Sequence, residues 1–299
     1  MLSMVQKLPQ IHVLALDLDG TLLDSDKRLS DANRNALAAA AAKGVLVVPT
    51  TGRFFGMMPE CVRDLPFVRY AITINGAQVY DRETDTAIVR EEIPREMALA
   101  AMRVLDRYDV IYDCYRSNWG WMTQAFKEKV EDYATNVHYV KMVREFRNGV
   151  PDLKAYIEST PHDGDVQKIM LFSRLRAEGV DEATQRNAAT ECLKALAAEL
   201  GEKFPELAVT SSTWNNIEIN ISSANKGRAL ARFAEHFGWT AENCMSFGDG
   251  LNDLSMIKTA GTGVAMSNAC PEVLAAADYV SLSNDEDGVA AALRHLGIV

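Results

Sequence analysis

At two places far apart in the chain, a short apolar run stops at aspartate. Residues 11–16, IHVLAL, lead into Asp17-Leu18-Asp19-Gly20-Thr21, and residues 244–247, CMSF, lead into Gly248-Asp249-Gly250-Leu251-Asn252-Asp253. Short runs of this kind, bounded by turn residues, predict strands buried within a parallel sheet. Ligands of such sheets bind outside the carboxyl ends of the strands. The acidic residues therefore stand where the chemistry of an α/β fold is expected.

The rest of both chain ends fits the same plan. Residues 45–48 form another apolar run, ending at Thr50-Thr51-Gly52-Arg53, and 71–74 form a third, ending at Asn75-Gly76. Helices are predicted over 31–43, with Ser30 as N-cap and Gly44 past the end, and over 54–64. Toward the C-terminus the pattern predicts helices over 226–237, 253–258 and 288–296 and strands over 244–247, 263–266 and 279–280. Both ends together predict one doubly wound sheet.

The middle of the chain differs. Helices over 95–106, 125–134, 152–159 and 181–200 accompany strands over 110–115, 119–122, 166–172, 207–211 and 216–221, which suits a separate α+β domain with an antiparallel sheet. Residues 78–80 and 87–89 read as a hairpin at the first crossing. The expected division is a core of residues 1–90 and 223–299 with an inserted domain of 91–222. Two short crossings of this kind suit hinged opening and closing over a site. At 299 residues the chain is long enough for two such units.

The formal net charge is −10 and no Lys/Arg cluster is present, so nucleic acid and anionic membrane surfaces are not expected as partners. Any phosphorylated ligand should be small and locally neutralised. The five cysteines, Cys61, Cys114, Cys192, Cys244 and Cys270, are scattered without CxxC spacing, which argues against a disulfide framework or a zinc site. Residues 1–10 carry one Lys, and the apolar run after them is too short for a secretory leader. A cytoplasmic location is expected.

Period-two geometry points the Asp17 and Asp19 side chains the same way if the strand continues. Two like charges so close are costly unless a cation sits between them. A plain Asp-Gly turn is the alternative reading. Asp17, Asp249 and a backbone carbonyl would give Mg²⁺ the hard oxygen donors it needs. Asn252 and Asp253 have a competing role as helix N-caps. Thr51-Gly52-Arg53 offers a hydroxyl and backbone N–H groups at a helix start, which suits an anion, although Thr51 could simply cap and Arg53 be solvated. Lys226, at a strand-to-helix junction, supplies a cation able to spread charge in phosphoryl transfer.

In order, DLDGTLL (17–23), TGR (51–53), NGA (75–77), Lys226-Gly227, GDGLND (248–253), GVAMSNA (263–269) and SNDEDGVA (283–290) resemble the motifs of the haloacid dehalogenase superfamily, Cof-type subgroup IIB. The resemblance implies a Rossmann-like core with an inserted α+β cap. It also implies a Mg²⁺-dependent phosphatase acting on a small phosphorylated metabolite, such as a sugar phosphate. Carried over by position, Asp17 is the nucleophile that forms an aspartyl-phosphate, and Asp19 the general acid and then base, whose carbonyl also ligates Mg²⁺. Lys226 neutralises the nucleophile and the transferred group. Asp249 ligates Mg²⁺ directly, and Asp253 acts through water or beside the ligands. Thr51, Gly52, Arg53, Asn75, Asn252 and Asn268 fall on the phosphate side. Thr50 and Ser267 depart from the residues frequent in the family, which bears on the pocket's outer layer.

Two other readings share these residues. A phosphomutase or phosphotransferase would pass the aspartyl-phosphate to a hydroxyl instead of water. A phosphorylatable signalling module also uses Asp, carboxylates and Lys, but an acid/base at Asp19 should hasten hydrolysis, whereas a switch needs its acyl-phosphate to persist. In the middle domain, Tyr112, Cys114, Tyr115, Arg116, Trp119 and Trp121 could meet a substrate ring, but cross-strand packing is the stronger reading. Lys168, in an apolar strand, reads as structural.

Overall fold

The protein was analysed as a computed structural model that describes residues 10–134, 137–159, 166–175, 179–211 and 213–299; the leader reading of residues 1–9 lies outside them. The first part of the chain carries strands β1 (Val13–Leu16), β2 (Leu46–Pro49), β3 (Tyr70–Thr73), β4 (Gln78–Asp81) and β5 (Thr86–Arg90). The middle carries β6 (Val110–Arg116), β7 (Trp119–Thr123), β8 (Arg147–Val150), β9 (Lys168–Ser173), β10 (Leu207–Thr210) and β11 (Asn216–Ile221). The last part carries β12 (Cys244–Gly248), β13 (Thr262–Ala265) and β14 (Tyr279–Val280). The chain divides into two compact units, Met1–Arg90 with Ala224–Val299, and Glu91–Ser223.

The first unit is built on a parallel sheet of order β14-β13-β12-β1-β2. The β1 side chains are buried on both faces, and their alternation assigns each to a layer. Leu14 and Leu16 pack with Leu37 of helix Asp31–Ala42 and Leu293 of helix Gly288–His295. Val13 and Ala15 pack with Leu230 and Phe233 of helix Lys226–His236 and Met256 of helix Leu254–Thr259. Each fully buried aliphatic side chain contributes about 1.5–3 kcal/mol. The register pairs Leu16 with Phe247 on one side and with Pro49 on the other, so three strands end level. That alignment brings Asp17, the 50–53 loop and the 248–253 loop to one edge of the sheet.

Two expectations for this unit need correction. The run at 71–74 was expected to continue the parallel sheet; instead β3 begins a separate antiparallel sheet β3-β4-β5, and its ladder to β2 is reduced to the bridge Thr50↔Ile72. The cause is the turn after it, where Ile74, Asn75 and Gly76 take φ of 55, 58 and 94° and send the chain straight back as β4. The helix expected over 54–64 is split into a 3₁₀ turn, Phe55–Met57, and a short α-helix, Glu60–Arg63. Met58 precedes Pro59 and is extended, with ψ 144°, as the clash with a proline ring demands.

The second unit carries a sheet of order β10-β11-β9-β6-β7-β8, antiparallel except for β7 with β8. One face presents Tyr112, Cys114, Ile169, Leu171, Ile217 and Ile219 to helices Arg95–Leu105, Leu153–Ser159 and Glu182–Lys203. The alternate positions are mixed: Ile111, Met170 and Phe172 form a second apolar cluster with Val130, Tyr133 and Val143, and beside them lies a buried charged group. Arg147 donates to Asp113 Oδ2 at 2.8 Å and to the Tyr115 hydroxyl at 2.9 Å, and Lys168 pairs with Glu218, all buried. Tyr112, Cys114, Tyr115 and Arg116 are buried too, and Trp121 stacks on Tyr156 at 4.4 Å, so these residues pack the domain. The helix expected over 125–134 ends early, at Gln124–Glu128, followed by a 3₁₀ turn, Val130–Asp132. Helix Val137–Phe146 and strand β8 were not foreseen; β8 reads Arg-Asn-Gly-Val, with no apolar alternation to reveal it. Among the described residues, no helix is long and apolar enough to cross a membrane.

Candidate active site

Asp17 is the first residue past β1, and its backbone N–H donates to the Phe247 carbonyl, tying the two acidic strand ends together. Lys226 opens helix Lys226–His236, whose N-cap Asn225 accepts from the Arg228 N–H. The helix start presses against the 74–76 turn: a Cβ on Gly76 would lie 2.3 Å from the Asn225 carbonyl oxygen, so only glycine fits. From there the buried Lys226 ammonium donates to Asp17 Oδ1 at 2.5 Å and to Asp253 Oδ1 at 2.6 Å. The other Asp253 oxygen accepts from the backbone N–H groups of Asp249 at 3.0 Å and Gly250 at 2.9 Å. Asp253 stands at the N-cap position of helix Leu254–Thr259 but makes no side-chain cap hydrogen bond to it, so the helix-cap reading does not hold; its side chain instead ties back the loop before it and binds Lys226.

Carboxylate oxygens of Asp17, Asp249 and Asp253 all lie within 4.8 Å of one another. Burial raises the Asp17 pKa, Asp253 and Asp249 add to the rise, and Lys226 opposes it; the net is a carboxyl pushed up to about 8. Burial likewise raises Asp249, against the Thr21 hydrogen bond. Burial alone would lower the Lys226 ammonium, but Asp17 and Asp253 outweigh it and push its pKa up, so it stays charged. Three carboxylates around one ammonium leave an excess of negative charge in a desolvated place. An all-oxygen donor set with that excess fits a hard divalent cation.

Asp19 has a different environment. Burial acts to raise its pKa, but Arg53 Nη2 at 2.7 Å and Lys27 Nζ at 2.9 Å prevail and hold the carboxyl below its usual value. Thr51 follows β2, its hydroxyl accepting from the Arg53 N–H at 3.3 Å. Asn75 packs its side-chain oxygen against Gly52, where a Cβ would lie 2.8 Å away, and its N–H donates to the Thr51 carbonyl. Thus the structure gathers Asp17, Asp249, Asp253 and Lys226 in one cluster, and joins Arg53 to Asp19 and Asn75 to the 51–52 loop. Asn252 is exposed on the 248–253 loop. The Asn268 side chain is occupied with loop backbone, donating to the Gly20 carbonyl at 2.8 Å and accepting from the Asn284 N–H at 3.1 Å.

Several residues that matter here were not singled out in the sequence. Thr21 donates to Asp249 Oδ1 at 2.7 Å; it lay inside the first motif, which was the only signal. Lys27 pairs with Asp19 from a turn with φ 63°, and a single Lys in a polar loop gives no signal at all. Asn284 and Asp285 hold the loop after Asp19, through the Leu23 carbonyl and through Ser25, whose N–H and hydroxyl both reach Asp285.

The Asp17 shift sets the sign of a pH effect. Its folded pKa of about 8 lies above the ordinary aspartate value of 3.8, so the folded state holds the proton more tightly. That contribution to stability is present at low pH and is lost as pH rises through about 8. Measured against Asp17→Asn, whose amide does not titrate, the metal-free wild type should lose melting temperature between pH 5 and pH 8. A divalent cation added at pH 8 should restore it. A constant difference between the two proteins across that range would contradict the placement of Asp17.

The profile of the haloacid dehalogenase-like hydrolases matches residues 14–293. The chain is 33% identical over 285 residues to the 5-amino-6-(5-phospho-D-ribitylamino)uracil phosphatase YcsE of Bacillus subtilis, covering 95% of each chain. It is 28% identical over 295 residues to the pyridoxal phosphate phosphatase YbhA of Escherichia coli, covering 93% of this chain and 96% of that one. Among solved structures, a haloacid dehalogenase-like hydrolase from Bacteroides thetaiotaomicron superposes with a TM-score of 0.75 at 26% identity, over 96% of this chain and all of the other (100%).

Proposed function

Because the chain belongs to the haloacid dehalogenase-like hydrolases and is a phosphatase of that family, we propose that it hydrolyses a small phosphorylated metabolite through an aspartyl-phosphate, with Mg²⁺ as cofactor. One observation carries the reading: carboxylates from two strand ends more than two hundred residues apart meet within 4.8 Å beside a buried ammonium. Asp17, Asp249 and the Asp19 carbonyl would hold the ion, with Asp253 beside them. When bound, Mg²⁺ supplies positive charge to the phosphoryl oxygens and to the excess of carboxylates.

The residues divide the work. Asp17 attacks phosphorus, a bond to its carboxylate oxygen forms, and the bond to the leaving alcohol oxygen breaks. Lys226 opposes the rise in the Asp17 pKa and, together with the bound cation, would favour the ionised carboxylate that attack requires; it also meets the charge on the transferred group. Asp19 gives its proton to the leaving oxygen, then takes one from the water that cleaves the acyl-phosphate. For the first of these steps it must carry a proton, so its pairing with Arg53 and Lys27 has to loosen when substrate arrives. Thr51 and the amides of the 51–53 loop bind phosphoryl oxygens. Asn252, exposed on the acidic loop, is placed to add a hydrogen bond, and Asn75 and Asn268 shape the surrounding loops.

Two of the relatives named above act on phosphate esters of ring-bearing metabolites, which sets the chemical range for screening. The test is phosphate release from sugar phosphates, pyridoxal phosphate, a ribityl phosphate and p-nitrophenyl phosphate, with and without Mg²⁺. Turnover of none of them, or equal turnover without metal, overturns the reading. Isomerisation of a hexose phosphate without net phosphate release would place the same site among the mutases. Asp19→Asn should cost about 10²–10⁴-fold on alkyl phosphates. The loss should be smaller on p-nitrophenyl phosphate, whose leaving group needs little protonation; equal losses would show that Asp19 is not the acid.

A further inference from the structure

The carboxylates of the cluster are not held alike. Asp17 and Asp253 share the Lys226 ammonium, and Asp253 also accepts two backbone N–H groups. Among the described residues, the Asp249 carboxylate has a single hydrogen-bond partner, the Thr21 hydroxyl at 2.7 Å. Thr21 is fully buried, whereas Asp249 is partly exposed. The other Asp249 oxygen, Oδ2, lies against Gly20, where a Cβ would come within 2.4 Å and displace it. Gly20 sits at φ 86°, a conformation that glycine adopts without strain. One residue thus leaves room for one oxygen, and the next pins the other.

The loop that does this is itself anchored. The Gly20 carbonyl accepts from Asn268, the Leu23 carbonyl from Asn284, and Ser25 reaches Asp285 through both N–H and hydroxyl. Asn284 also donates its N–H to Asn268 Oδ1. The hydroxyl of Thr21 is therefore presented from a fixed backbone, so a hydrogen bond to it costs little further ordering. We propose that Thr21 is a positioning residue that fixes the plane of the Asp249 carboxylate and thereby sets the affinity of the site for its divalent cation. The inference rests on the function proposed above and adds to it a residue that touches neither substrate nor the ion. A purely structural Thr, filling a buried space, would be replaced by Val with the metal affinity intact, since Val is nearly the same shape.

Thr21→Val and Thr21→Ser separate the two roles. The measurement is calorimetric titration of substrate-free protein with MgCl₂, together with the Mg²⁺ dependence of phosphate release. Thr21→Val should bind Mg²⁺ about 10–100-fold more weakly, the range seen when a residue that orients a metal ligand is lost. Its half-saturating Mg²⁺ in turnover should rise by the same factor, and the lost rate should return as Mg²⁺ is raised. Thr21→Ser, which keeps the hydroxyl and loses only a methyl group, should bind the ion within a few-fold of wild type. Equal Mg²⁺ affinity of Thr21→Val and wild type overturns the proposal, as does Thr21→Ser as weak as Thr21→Val, or a rate loss that Mg²⁺ does not recover. A wild-type protein that binds no Mg²⁺ overturns the function reading itself, and this inference with it. Wild-type binding with an unaffected Val variant overturns this inference alone.

Discussion

Asp17→Asn should reduce phosphate release on the order of 10⁴-fold or more, the scale on which removal of a nucleophile acts in enzymes with covalent intermediates. The side chain stands at the end of β1 with its carboxylate on the Lys226 ammonium, and an amide there can neither attack phosphorus nor carry the acyl-phosphate. The fold should not suffer. The Asp17 carboxyl is raised to about 8 by burial and by its acidic neighbours, so a neutral side chain is tolerated, and above neutral pH the variant should melt higher than the metal-free wild type. Acid quenching during turnover should trap labelled phosphate on the wild type and none on the variant. Substantial turnover by Asp17→Asn, or label retained on it, would assign the nucleophile elsewhere.

Lys226→Met should be damaging in a different way. It removes the cation that, among the described residues, Asp17 and Asp253 share, and whose side chain has no solvent exposure. Removing one partner of a buried ion pair costs about 3–5 kcal/mol, because the charges left behind are uncompensated. Urea denaturation at pH 8 without metal should show a loss of that size. At pH 5 the loss should shrink, since a proton on Asp17 relieves the repulsion that Lys226 had offset. Turnover should fall about 10²–10³-fold even at saturating Mg²⁺, as when a preorganised electrostatic donor is deleted. A loss of stability that is the same at both pH values would mean that the Lys226 ammonium matters for packing and not for the charge of Asp17.

The parallel core was legible because its strands announce themselves: each is a short run apolar on both faces and stopped by polar residues, as in Leu14-Ala15-Leu16-Asp17. The break at Pro59 was legible too in principle, since a proline in the middle of a predicted helix pushes the residue before it out of helical geometry. The redirection of β3 was harder. Its apolar pattern is the same whether it pairs with β2 or with β4, and the choice falls to the turn at Ile74-Asn75-Gly76. Strand β8 left no pattern because what buries it is one charged residue, Arg147, satisfied by Asp113 and Tyr115.

By itself the sequence determined which chemical groups the chain can bring to strand ends: two acidic motifs, a Thr-Gly-Arg loop and a lysine at a helix start. Residue types and their place in a strand-loop-helix unit are local properties, and local pattern is enough to read them. Only the tertiary structure decided who touches whom. Lys226 bridges Asp17 and Asp253, Lys27 and Arg53 share Asp19, Asn268 serves the Gly20 carbonyl, and Thr21 alone holds the Asp249 carboxylate among the described residues. A hydrogen bond depends on a few tenths of an ångström between atoms that here stand up to hundreds of residues apart. Those separations are set by strand register and by the packing of glycine against carboxylate, which no single segment contains.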